Sequence, residues 1–148
     1  MNFWTILAAG FGSGYAPRAP GTFGSLVGLA LGAALLDYGH LPLLLGIVVF
    51  AVVGLEAVRA TGDAAHDPKW IVVDEIAGQM IPLLALSHVG WLGMLISFAL
   101  FRLFDILKPG PVGWADARHD EYGVMGDDLI AGVMALVVVA LLRLVLPL

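Results

Sequence analysis

Long apolar stretches, more than any other feature, limit what this chain can fold into. They cover residues 23–36, 41–55, 76–86, 89–101 and 129–142. Hydrophobic residues make up 60% of the 148 residues and charged residues only 13%, whereas a soluble domain is about 45–50% apolar. A bilayer core needs about 20 helical residues, so each stretch could cross a membrane only with flanking residues added. We predict an all-α fold, a compact membrane bundle of four to five apolar helices, forming a single domain over residues 1–148.

The alternative is a soluble helical bundle with a very apolar centre. Against it, stretch 129–142 is apolar around its whole circumference, and stretch 23–36 contains nothing more polar than Ser25. A helix that faces water needs a polar side, so lipid suits these two stretches better. Successive loops also alternate between having cations and lacking them: segments 10–22, 57–75 and 105–128 contain Lys or Arg, and loops 37–40 and 87–88 contain none. The positive-inside rule then places segments 10–22, 57–75 and 105–128 in the cytoplasm, with Arg143 as the one cation near the far end.

Composition also excludes several classes of function. The chain contains no Cys, so disulfides, thiolate metal sites and cysteine-based phosphatase chemistry are ruled out. A formal charge of −5 provides no basic face for nucleic acid. The first residues lack the positive charge of a cleaved signal peptide, so we expect the first apolar segments to stay in the mature protein. The four histidines show no metal-ligand spacing and are not expected to act in catalysis.

Acidic residues concentrate on one side of the predicted topology. Eleven of the twelve Asp and Glu residues lie in or near the cytoplasmic segments, and Asp37 is the exception. Some lie where apolar stretches begin or end, and we expect Gly126-Asp127-Asp128 to open the last helix. In an up-and-down bundle these positions meet at one face. Carboxylates so close together need a cation, and oxygen ligands favour Mg²⁺ or Mn²⁺ over Zn²⁺. The candidate metal ligands are Asp74, Glu75, Asp105, Asp127 and Asp128.

Basic and hydroxyl residues near the same face could contact phosphate. Arg102 and Lys108 flank Asp105 at successive i, i+3 positions and share one helical face. A salt-bridged helix end is the alternative for them. Thr22 begins the first apolar helix, where free backbone N–H groups can bind an anion. Ordinary capping is the better explanation for Thr22 alone, but Arg18 beside the same helix end favours an anion site. The candidate phosphate contacts are Arg18, Thr22, Ser25, Arg102 and Lys108.

Four motifs in order along the chain resemble the phosphatidylglycerophosphatase A family. They are FGSGYAPRAPGTFGS at residues 11–25, HDPKWIVVDE at 66–75, FRLFDILKPGP at 101–111 and GDDLIAG at 126–132. The resemblance implies a Mg²⁺-dependent, multi-pass enzyme of the bacterial cytoplasmic (inner) membrane with its active site facing the cytoplasm. The implied reaction converts the lipid phosphatidylglycerophosphate to phosphatidylglycerol and phosphate. The implied catalytic residues are Asp74, Glu75, Asp105, Asp128, Arg102 and Lys108.

Several alternatives stay open at this point. Water activated by the metal or an aspartyl-phosphate could each account for hydrolysis, and the role of Asp67 is open. A CDP-alcohol phosphatidyltransferase is also a small helical membrane enzyme with paired acids, but the chain lacks most of its motif. A small ion-coupled transporter subunit is a third reading, since carboxylates at membrane depth often mark ion paths. The grouping of the acids at one face argues against such a path.

Overall fold

A computed structural model describes residues 2–148 of the chain, and this part contains helices and no strand. It therefore confirms the all-α prediction. Three short 3₁₀ helices also occur, at Gly10–Tyr15, Ala64–His66 and Ile81–Ala85. The α-helices are α1 Phe3–Ala8, α2 Pro20–Leu36, α3 His40–Thr61, α4 Val73–Met80, α5 Trp91–Leu107, α6 Pro111–Asp116 and α7 Glu121–Leu142.

Each predicted apolar stretch is helical, but the helices differ in length. Two of them, α3 and α7, have 22 residues each and are long and apolar enough to cross a membrane. Helices α2 and α5 have 17 residues each. At 1.5 Å per residue a 17-residue helix is about 25 Å long, less than the ~30 Å of a bilayer core. Two helices with the full length of a span are thus present, rather than the predicted four to five.

The third apolar stretch forms a broken and buried segment. Helix α4 gives way to the 3₁₀ helix Ile81–Ala85, where Pro82 at the start cannot donate a helical hydrogen bond. The combined segment is about 20 Å long and too short to span a bilayer. Ile76, Met80 and Leu83 are fully buried in the main hydrophobic cluster. This segment therefore lies at the centre of the bundle, surrounded by the longer helices.

Glycines let two helices approach the backbone of α4. A Cβ atom on Gly28 of α2 would lie 2.5 Å from the carbonyl oxygen of Ile76. A Cβ atom on Gly78 of α4 would lie 2.5 Å from the carbonyl oxygen of Asp128 in α7. No side chain fits at either contact without displacing backbone. Close packing of α4 against α7 brings the Asp128 backbone directly beside α4.

The segment before α2 is ordered, as its aromatic and proline content predicts. The backbone N–H of Val72 donates to the carbonyl oxygen of Ala8 at 2.9 Å. The rings of Tyr15 and Trp70 stack with centroids 6.1 Å apart and an interplanar angle of 16°. These contacts attach the N-terminal segment to the residues that lead into α4.

At the far end of the bundle, Arg143, the one cation that the predicted topology places there, has a structural partner. Arg143 follows α7, and its guanidinium donates to the carbonyl oxygen of Ala85 at 3.0 Å. Ser87 donates its hydroxyl to the carbonyl oxygen of Leu148. Arg143 therefore satisfies a carbonyl at the end of the central 3₁₀ helix.

Candidate active site

The last helix begins earlier than predicted. Helix α7 starts at Glu121, and the Asp120 carboxylate caps it by accepting from the backbone N–H of Gly123 at 2.7 Å. The prediction that Gly126-Asp127-Asp128 opens this helix is therefore wrong. Asp120 supplies the cap, so the chain is already helical when it reaches Asp127. As a result, Asp127 and Asp128 lie on the body of the helix and are buried.

Three carboxylates from two helices converge beside the central segment. Asp74 and Glu75 lie in the first turn of α4, and Asp128 comes from α7. One carboxylate oxygen from each of these residues lies within 4.8 Å of the other two. Asp74 is 6% exposed and Asp128 is 3% exposed. We call these three residues the carboxylate cluster.

Buried oxygen atoms in the cluster lack partners. Glu75 Oε2 and Asp128 Oδ1 are buried and accept no hydrogen bond from any group in residues 2–148. A buried charged oxygen without a partner is costly, so such atoms usually bind an ion or a ligand. Three hard oxygen donors at this spacing fit a cation such as Mg²⁺. The donor set does not fit Zn²⁺ as well, since it contains neither His nor Cys.

Burial also perturbs the acids of α4, which lie outside the two helices long enough to span a membrane. Burial, with a smaller contribution from the charge of Glu75, raises the pKa of Asp74 well above its usual range. Burial and then the charge of Asp128 raise the pKa of Glu75 to about 8. A divalent cation would offset both effects and keep these carboxylates ionised.

The start of α2 packs closely against the carboxylate cluster. A Cβ atom on Gly21 would lie 2.3 Å from Glu75 Oε1 and 3.4 Å from a terminal nitrogen of Arg102. Only glycine leaves the Glu75 carboxylate in this position. Sequence reasoning noticed Pro20-Gly21 as a helix start and missed this contact, because the contact joins residues more than 50 positions apart.

Arg102 is held in place by two neighbours. Its guanidinium pairs with Asp105, and it also donates to Ser25 Oγ at 3.3 Å. Ser25 is fully buried and donates in turn to the carbonyl oxygen of Gly21 at 2.8 Å. The Nε atom of Arg102 is buried without an acceptor in residues 2–148. Arg102 therefore forms the i, i+3 ion pair that the sequence offered as the alternative to a phosphate contact, and it keeps one donor free.

Lys108 joins two further acids. Its ammonium pairs with Asp116 and lies 2.8 Å from Asp127 Oδ2. Burial alone would lower the pKa of Lys108, but these two hydrogen bonds outweigh it and raise the pKa above its usual range. The lysine stays positively charged at any physiological pH. Asp116 was missed by sequence reasoning, because it lies on the short helix α6, which no apolar periodicity signals.

A cavity of about 750 Å³ opens onto these groups. It brings together most of the predicted site, along with Asp67 and Lys69. Arg18, Thr22 and Ser25 do not line it, and Arg18 is exposed. Ser25 reaches the site only through Arg102. The predicted residues that line the cavity are Asp74, Glu75, Arg102, Asp105, Lys108, Asp127 and Asp128.

Comparison with known proteins identifies relatives over nearly the whole chain. A family model described as phosphatidylglycerophosphatase A matches residues 6–143. The phosphatidylglycerophosphatase A of Haemophilus influenzae is 40% identical over 149 residues, covering 94% of this chain and 88% of the relative. The phosphatidylglycerophosphatase A of Escherichia coli is 36% identical over 139 residues, covering 90% of this chain and 80% of the relative. A Bacteroides thetaiotaomicron protein, provisionally named phosphatidylinositol-3-phosphatase, is 38% identical over 149 residues, covering 95% of this chain and 94% of the relative. No solved structure matches the chain.

Proposed function

Because the chain belongs to the phosphatidylglycerophosphatase A family, we propose that it hydrolyses phosphatidylglycerophosphate to phosphatidylglycerol and inorganic phosphate in this cavity. The carboxylate cluster carries the proposal. It places Asp74, Glu75 and Asp128 within 4.8 Å of one another beside two cations that other residues hold in place. The whole chain acts as one catalytic domain.

The cluster would hold Mg²⁺. Asp74, Glu75 and Asp128 would supply its ligands, and the partnerless oxygens of Glu75 and Asp128 support this assignment. Asp105 and Asp127 line the same cavity, although each also pairs with a cation, so they are proposed as further ligands from the edge of the cluster. The ion would supply neutralising charge to the phosphate and would lower the pKa of a bound water.

The protein's own side chains would bind and orient the phosphomonoester. Arg102 has a buried Nε donor with no acceptor, and Asp105 and Ser25 hold its guanidinium in place. It can therefore donate to a phosphate oxygen with little loss of side-chain entropy. Lys108 lies between Asp116 and Asp127 and would contribute positive charge at the cavity wall. A carboxylate of the cluster would orient the attacking water.

The surface of α3 supports a location in the membrane. On this helix, the exposed fractions of Leu45, Val49 and Val52 are 57%, 56% and 59%. A contiguous apolar surface of this kind is unfavourable in contact with water. Lipid chains would cover this face at no such cost. We therefore place the protein in the bacterial inner membrane as a multi-pass protein. The cavity would lie at the cytoplasmic interface, where the lipid headgroup is accessible.

The test of this function is phosphate release from a panel of monoesters with and without Mg²⁺. The panel contains phosphatidylglycerophosphate, phosphatidic acid, phosphatidylinositol 3-phosphate and water-soluble glycerol 3-phosphate. We expect kcat/KM for phosphatidylglycerophosphate to exceed that for each other compound by about tenfold or more, since tenfold requires only ~1.4 kcal/mol of extra binding. The Asp74→Asn protein, purified identically, controls for contaminating phosphatases. Equal turnover of the soluble ester, or none of phosphatidylglycerophosphate, would refute the proposal.

Phosphate release also separates the alternatives left open by the sequence. A phosphatidyltransferase would join the lipid to an alcohol without releasing inorganic phosphate from a monoester. A transporter subunit would release none under any of these conditions.

A further inference from the structure

Three cations line the cavity, and two of them are already paired. Arg102 pairs with Asp105, and Lys108 pairs with Asp116 and Asp127. Lys69 is exposed at the cavity wall and forms no salt bridge in the part of the chain that the structure describes, residues 2–148. Its ammonium is therefore available to an incoming anion.

Contacts with neighbouring residues position the backbone around Lys69. The backbone N–H of Ile71 donates to the carbonyl oxygen of Pro68 at 3.0 Å, which closes a turn around Lys69. Trp70 stacks on Tyr15, and a Cβ atom on Gly14 would lie 2.0 Å from the carbonyl oxygen of Trp70. Lys69 lines the cavity from this turn, so chiefly the rotamers of its side chain have to be ordered when a ligand binds.

The charge balance of the cavity shows why a free cation matters. Six acidic residues line it against three cations, an excess that disfavours an anion in the absence of metal. One divalent ion at the carboxylate cluster reduces this excess without reversing it. The proposed substrate carries two phosphates separated by a glycerol unit, a monoester and a diester, and both are negatively charged. When the monoester lies at the cluster, the diester extends away from it and still needs a positive partner.

We propose that Lys69 binds the phosphodiester of the substrate and so makes the cavity prefer lipids with a second phosphate over simple phosphomonoesters. This inference rests on the proposed function, because it assumes that the monoester is hydrolysed at the carboxylate cluster. It assigns Lys69 to substrate selection, separate from the hydrolytic groups.

The experiment compares the kinetics of Lys69→Ala and wild type in mixed micelles. The substrates are phosphatidylglycerophosphate, which has a diester, and phosphatidic acid, which has none. We expect the KM for phosphatidylglycerophosphate to rise about tenfold with kcat unchanged, the size expected for one charge-assisted hydrogen bond at an exposed site. The KM for phosphatidic acid, or its Ki as a competitor where turnover is slow, should not change. Lys69→Arg should keep the wild-type KM within about twofold, since the charge is retained.

Arg59→Ala is the matched control, because Arg59 is also an exposed cation of the predicted cytoplasmic segments and does not line the cavity. An unchanged KM in Lys69→Ala would overturn the role of Lys69 and leave the proposed function standing. An equal rise for both lipids, or the same rise in Arg59→Ala, would also overturn it by showing general attraction of anions. If the wild type fails to hydrolyse phosphatidylglycerophosphate, the proposed function itself fails.

Discussion

Replacing Asp128 by Asn should lower phosphate release on the order of 10³-fold or more while the protein still folds. Asp128 supplies a buried oxygen to the carboxylate cluster, and Asn removes its negative charge with almost no change in shape. In the absence of metal, the change also removes one of three carboxyl groups that compete for ionisation in the same buried site. The metal-free variant should therefore melt at the same temperature as the wild type or higher. The measurements are phosphate release and thermal unfolding in detergent.

The control for this substitution is Asp37→Asn. Asp37 is exposed at the end of α2 and belongs to the predicted outer turn, so its variant should keep wild-type activity. An active Asp128→Asn enzyme would remove Asp128 from the mechanism. A variant that is inactive but melts well below the wild type would indicate a structural role instead.

Removal of divalent metal should reduce activity to background, and added Mg²⁺ should restore it. Without a cation, burial and the charge of Asp128 raise the pKa of Glu75 to about 8, so the cluster offers a phosphate anion only protonated or negatively charged groups and no positive charge. A substrate that is itself negatively charged then gains no electrophilic partner at the cluster. The measurement is phosphate release after treatment with EDTA, followed by titration with Mg²⁺.

EDTA saturated beforehand with Mg²⁺ serves as the control, because it carries the same chelator without removing metal. The saturated chelator should leave activity intact. Full turnover in excess free EDTA would contradict a metal-dependent reaction.

The helices were predictable because their apolar runs are long and well separated. Each predicted stretch is helical, and Asp74 lies at the start of α4 as expected. The start of α7 was not predictable from hydropathy, since its first turns contain Glu121, Tyr122 and Gly123. The capping bond from Gly123 to Asp120 decides where this helix begins, and that is a local polar contact.

Within the site, the contacts between residues of one helix could be predicted from their spacing, whereas the contacts between different helices could not. The pair between Arg102 and Asp105 follows from i, i+3 geometry and is present. The link from Lys108 to Asp116 and Asp127 connects α6 and α7 to the end of α5, and no periodicity encodes it. The approach of Gly21 to Glu75 likewise depends on how α2 packs against α4. Such contacts depend on tertiary packing, which a single sequence does not specify.

The central claim is that acids from separate helices bind one divalent ion, and direct titration with Mn²⁺ tests it. Mn²⁺ takes the place of Mg²⁺, and electron paramagnetic resonance counts the free ion in the presence of purified protein. We predict that the wild type binds Mn²⁺ and that Asp74→Asn on α4 and Asp128→Asn on α7 each weaken binding by about 10-fold to 100-fold. Wild-type affinity in both variants would contradict the claim, because the ion would then bind elsewhere or not be shared between these helices.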